Sequence, residues 1–191
     1  MDGASQLALA YALTTTAGLR GFLTLLAAAI ATHAGWIHPA PAFAWLGSAG
    51  AIGVLAVFSL LELLGDKIPA VDHALHSIYF AVRPLAGAIL VGDTVHTGSQ
   101  TELYLLMAAG ALNALVVHGS SAAVRATSTV TTMSLANAPL SFVEDALAIG
   151  GIVLAFLAPV LAAVLAALLV AFLIVLARAT YMRFRARSSS A

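Results

Sequence analysis

Glu62 and Asp66 stand four residues apart in Glu62-Leu63-Leu64-Gly65-Asp66-Lys67, a spacing that puts both carboxylates on one helix face. Two carboxylates in a partly dry site suit a hard cation or an exchangeable proton. Gly65 between them could end the helix and free carbonyl oxygens as further ligands. The plainer reading is an interfacial helix C-terminus, with Gly65 as terminator and Lys67 favouring the dipole. That reading leaves two acids at the negative helix end without an explanation. Arg20 sits in the middle of an apolar stretch, too deep to snorkel, and needs an acidic partner. Glu62, Glu144 and Asp145 are the candidates, and the pair either marks a pathway or only orients helices. Ser141-Phe142-Val143-Glu144 matches a capping box, with acids suited to the positive end of a helix. Asp145 falls outside that box and ranks above Glu144 as a site.

Asp72, His73, His76 and Arg83 form a second group. Asp72, His76, Tyr79 and Arg83 share one stripe of a helix over residues 70–82, opposite Val71, Leu75, Ile78 and Val82. Histidines three or four apart on one turn can hold a transition metal; interfacial histidines, or a pH sensor, are the simpler accounts. The metal question stays open. His33, His38 and His96 fall in loops and His118 inside an apolar segment, and nothing in the order groups them. There is no HExxH, GxSxG, P-loop or Gly-rich dinucleotide fingerprint. No cofactor is expected, and an enzyme is the less favoured class.

These side chains must be positioned by apolar helices. Of the 191 residues, 62% are hydrophobic and 8% charged, and the mean hydropathy is +1.04. A soluble domain carries roughly 25% charged residues, so this chain lacks the charge to cover itself in water. Low hydrophobicity and high net charge are both missing, which excludes disorder. Eight acids balance eight bases, leaving no basic surface for nucleic acid. With no Cys there are no disulfides or thiolate metal sites. The expected fold is a single all-α transmembrane domain over 1–191, a polytopic helix bundle whose first partner is the lipid bilayer.

A span takes about 20 mostly apolar residues, and six segments qualify or nearly do: 5–32, 43–64, 72–95, 101–124, 141–157 and, after Pro159, 160–182. The third is interrupted by Arg83-Pro84. It reads as one span kinked or broken at Pro84, or as a surface helix followed by a half-span. Residues 127–139 are polar and uncharged, either a re-entrant segment or a simple loop. The sixth segment is apolar all round and faces lipid or a second copy in a homo-oligomer. Gly18 and Gly21, and Gly47, Gly50 and Gly53, mark expected close helix contacts. With six spans, Lys67, Arg83, Arg125 and the arginine-rich tail share a side with the N-terminus, while 33–42 and 92–100 hold no Lys or Arg. Both termini are then cytoplasmic. Splitting the chain into 1–98 and 99–191 gives three segments each, an inverted 3+3 arrangement. Ala17-Gly18-Leu19-Arg20-Gly21 is similar to Ala122-Ala123-Val124-Arg125-Ala126 within it.

The strings Glu62-Leu63-Leu64-Gly65-Asp66-Lys67-Ile68-Pro69-Ala70-Val71-Asp72-His73 and Val82-Arg83-Pro84-Leu85-Ala86-Gly87 resemble the bacterial membrane family catalogued as domain of unknown function 4126. Ala17-Gly18-Leu19-Arg20, Leu135-Ala136-Asn137-Ala138-Pro139-Leu140-Ser141 and Glu144-Asp145 fit the same pattern. The resemblance spans nearly the whole chain and implies a small multi-pass protein of the bacterial inner membrane, with no activity to carry over. A looser likeness is to cation/proton exchangers with Glu-x-Gly-Asp-Lys motifs. Here Glu62 and Gly65 are one residue further apart, and Glu144-Asp145 lacks the Gly and the base.

The functional expectation is a secondary transporter moving a cation or small solute with proton coupling. Glu62, Asp66, Glu144 and Asp145 would bind the ion or proton, while Arg20 and Arg83 balance charge. The alternatives are a non-catalytic scaffold or accessory subunit, or a lipid-acting intramembrane enzyme using Asp72, His73, His76 and Arg83.

Overall fold

A computed structural model describes residues 1–65, 69–132, 135 and 137–188, with the side chains of 69–77, 130–131 and 183–188 outside that description. The elements are α1 (Gly3–Leu19), α2 (Gly21–His33), a short 3-10 helix (Pro41–Gly47), α3 (Ala49–Gly65), α4 (Pro69–Thr94), α5 (Gln100–Thr132), α6 (Asn137–Leu157) and α7 (Pro159–Ser188). No strand occurs among the described residues. Asp2 caps α1, its Oδ1 accepting the backbone N–H of Ser5 at 3.1 Å.

The expected first span does not exist as one helix. Arg20 leaves the helical region (φ −141°, ψ 89°), so 5–32 becomes two half-helices. In the first turns of α1, Gln6 Oε1 accepts from the backbone N–H of His96 at 3.0 Å. At the end of α2, Thr32 meets Asp93. Both outer ends of α1 and α2 therefore lie at the C-terminal end of α4, while Gly21 packs halfway along α4 against Arg83. The pair is a helical hairpin with Arg20 at its tip. At 1.5 Å per residue α2 is about 20 Å long, short of a hydrocarbon core of about 30 Å.

This hairpin is the centre of the bundle. Leu9, Leu13 and Ala17 of α1 and Ala28 and Ala29 of α2 join Leu55, Ala86, Leu90, Ile152 and Ala162 in one buried cluster. The helices around it turn large apolar side chains outward, among them Leu60, Leu105, Leu112, Val153 and Phe172, each more than half exposed. Buried polar residues inside and exposed apolar ones outside are the arrangement a lipid solvent requires. Small residues allow close approach. A Cβ on Gly18 would sit 2.5 Å from Val117 Cβ, and one on Gly110 would sit 2.9 Å from Gly87 O. Gly47 meets Thr32, whereas Gly50 and Gly53 have nothing within 4 Å and face outward, contrary to expectation.

Among the described residues three helical stretches, 100–129, 137–157 and 159–182, are long and apolar enough to cross a membrane. The 3-10 helix and α3, bent by 62°, make a fourth if taken as one span. The expected six are not met on that measure: the first segment is divided at Arg20, and α4 is not among the stretches that qualify. Helix α4 runs on through Pro84 without a break, so residues 69–94 form one continuous helix and not a surface helix followed by a separate half-span. Of its polar stripe, Tyr79 and Arg83 are buried, and Ile78 on the opposing stripe is 52% exposed. The polar stretch after Val124 is neither a loop nor re-entrant as far as Thr132; it continues α5. Hydroxyls of Thr127, Thr129 and Thr132 bond carbonyls four residues back, so the helix absorbs its own polar side chains.

Candidate functional site

The break at Arg20 leaves backbone groups that must be satisfied. The Arg20 N–H ends α1 on Thr16 O, and the Thr24 N–H opens α2 on Arg20 O. Between them the amides of Gly21, Phe22 and Leu23 have no helical acceptor, and all three donate to Glu62 of α3. The distances are 2.9 Å to Oε1 for Gly21, and 3.1 and 3.2 Å to Oε2 for Phe22 and Leu23. Glu62 is therefore an N-cap supplied from another helix, its negative charge on the positive end of α2. At the negative end of α1, Arg83 Nη1 donates to Gly18 O at 3.0 Å. Arg83 Nη2 lies 3.9 Å from Glu62 Oε1. Each severed end of the helix thus has the opposite charge against it.

The Arg20 side chain turns the other way, to α6. Its Nε donates to Asp145 Oδ1 at 2.5 Å, and its Nη2 donates to Ser141 Oγ at 3.0 Å and Ser141 O at 3.3 Å. Glu144 Oε2 is 3.8 Å from Arg20 Nη2. Glu144 also accepts from Ser121 Oγ and from Arg125 Nη2 of α5, with Arg125 Nε at 3.3 Å from Oε1. Arg83 donates to His118 Nδ1; arginine has no acceptor, so that ring nitrogen carries the lone pair. The Arg83 guanidinium also lies 4.9 Å over the Tyr79 ring. Three arginines (20, 83, 125) and three acids (62, 144, 145) therefore meet around the hairpin tip, and Arg20 and Glu62 are fully buried.

Of the residues singled out in the sequence, Arg20, Glu62, Arg83, Glu144 and Asp145 come together here. Asp66 lies outside the described residues, as do the side chains of Asp72, His73 and His76. Ser141 is not a helix cap, because α6 begins four residues earlier at Asn137. It binds Arg20, and Glu144 reaches across to α5, so the capping-box reading is corrected. The cap of α5 is Ser99, its Oγ accepting the Glu102 N–H at 3.4 Å. Arg125 and His118 are members that sequence order did not group. Arg125 was visible through its likeness to Arg20, and His118 only as a polar residue in an apolar run. The two positions are built differently, since Arg20 interrupts a helix and Arg125 lies within α5. No group of three or more His, Asp or Glu placed to hold a metal occurs among the described residues.

A cavity of about 370 Å³ opens between α1, α6 and α7. Thr15, Thr16, Gly150, Gly151, Leu154 and Ala162 are among its lining residues, and none of the six charged residues is.

The family model described as domain of unknown function (DUF4126) matches residues 7–179. The chain belongs to that family. The match runs from the first turns of α1 almost to the end of the apolar part of α7, so it includes every member of the charged cluster. No curated protein and no solved structure matches the chain. The long apolar helices with large apolar side chains turned outward mark a membrane protein; the exchanger likeness has no counterpart among these findings.

Proposed function

We propose that this protein is a secondary transporter that moves a cation or small solute with proton coupling, using the hairpin tip as its binding and switching element. The observation that carries the reading is the helix broken at Arg20 inside the bundle, its open end held by a carboxylate from another helix. Discontinuous helices place backbone dipole ends where an ion or substrate can meet them. Glu62 is the proton- or ion-responsive group, because any proton or cation it takes up weakens its hold on the three amides of α2. Asp145 and Glu144 hold Arg20 in place, and Arg83 balances Glu62. In an alternating cycle the halves 1–98 and 99–191 move against one another across the Arg20–Asp145 contact.

The inner membrane of a bacterium is the proposed location, with the end bearing Arg125, Arg178 and the tail facing the cytoplasm. Because the hairpin returns to its starting end, the N-terminus then lies outside with 33–42 and 92–100, not beside the tail. The test is purified protein in liposomes, with an internal pH dye and external manganese or calcium. Wild type acidifies or alkalinises the lumen on cation addition, and Glu62→Gln does not. Equal flux in both refutes the assignment of Glu62.

A second reading is a scaffold whose charges only hold helices together. The near-complete pairing of three arginines with three acids favours it. It predicts no flux above empty liposomes for wild type and variant alike.

A further inference from the structure

We propose that Asp93, with Thr32, is a proton-binding site at the end of the bundle remote from the basic tail, exchanging with the aqueous phase on that side. Asp93 occupies the last turn of α4 and is fully buried. Its partner is the Thr32 hydroxyl, 3.1 Å from Oδ1 and 3.0 Å from Oδ2. A hydroxyl has one hydrogen to give, so it satisfies one carboxyl oxygen and leaves the other without a donor. Glu62, Glu144 and Asp145 each face an arginine. Asp93 does not: no Arg, Lys or His lies within ion-pair distance of it among the described residues.

The packed elements offer no compensation either. Asp2 caps the start of α1, and Glu102 of α5 is bound to Thr97. His33, next to Thr32, bonds Gly47 O at 2.8 Å. His96 follows α4 and is exposed, Tyr11 of α1 is half-buried, and the 3-10 helix carries no ionisable residue. Phe43 from that 3-10 helix packs onto Gly92 beside the acid. A carboxylate so enclosed is stable only when a positive charge joins it. A proton on one oxygen removes the charge and donates to Thr32 Oγ1. The route is short, since exposed His33 adjoins Thr32 and exposed His96 lies three residues beyond Asp93. This site is separate from the hairpin tip and stands whether or not the chain carries a solute.

The experiment is infrared spectroscopy of the full chain in liposomes, in H₂O and then D₂O at neutral pH. Wild type shows a carboxylic C=O band that shifts on exchange. The band is lost in Asp93→Asn, displaced in Thr32→Val and retained in Glu62→Gln. Identical wild-type and Asp93→Asn spectra overturn the proposal, as does a band that D₂O never shifts. Should Asp93→Asn fail to fold, Thr32→Val decides alone: a displaced band supports the site and an unmoved one refutes it. None of these readings depends on transport.

Discussion

Replacing Glu62 by Gln tests the hinge directly. The glutamate accepts three backbone hydrogen bonds at 2.9, 3.1 and 3.2 Å and faces Arg83 Nη2 at 3.9 Å. Gln keeps one acceptor oxygen and turns an NH₂ group toward amides that are themselves donors. At least one of the three N–H groups then loses its partner, and the rest lose their charge assistance. Each bond to a charged acceptor is worth about 1.5–3 kcal/mol, and a buried unsatisfied donor costs about 1–3 kcal/mol. Some bonding survives to the Gln oxygen, so a net destabilisation of about 2–4 kcal/mol is expected. For a chain of this size that lowers the melting temperature by on the order of 5–15 °C. The assay pairs thermal unfolding in detergent with amide hydrogen exchange resolved at residues 21–23. Faster exchange at Gly21, Phe22 and Leu23, with Thr24 and later amides of α2 less affected, is the expected pattern. A stability change under about 1 kcal/mol with unaltered exchange at those three amides would refute the cross-helix cap.

Two further outcomes follow from the same packing. Asp145→Ala leaves Arg20 buried without its strongest acceptor and costs about 3–5 kcal/mol, whereas Arg20→Met with Asp145→Leu recovers most of that in detergent unfolding; additive losses would show that the pair is not coupled. Gly18→Leu drives a side chain into Val117 across the α1–α5 contact and costs at least about 1–3 kcal/mol, while Gly50→Leu, facing open space, is tolerated in the same unfolding assay.

Five of the six charged members of the site were legible one by one because ionisable residues are rare in this chain and expensive in hydrocarbon. Arg20, Glu62, Arg83, Glu144 and Asp145 stand out on that ground alone, and all five meet at the hairpin tip. Their partners were not legible. Ser141 and Glu144 carry a local capping pattern that fits a helix start, and only the packing of α6 on α1 shows them spent on Arg20 and α5 instead. Asp93 gives no signal in the sequence, because it sits at the edge of an apolar run, where an acid is ordinary unless its surroundings are known. Gly50 and Gly53 have the same spacing signal as glycines that do pack, yet they face outward.

Composition by itself determined that this chain belongs in a membrane as an all-α bundle. Too little charge for water and long apolar runs leave backbone hydrogen bonding within helices as the available solution. What tertiary structure decided is where the first apolar run stops being one helix. Nothing local compels a break at Arg20-Gly21. It is stable because Glu62, on α3, accepts the three amides that the break exposes, and Arg83, on α4, meets the opposite end. Hydrogen-bond debts of that kind are settled between segments distant in sequence, which no periodicity along a single segment records.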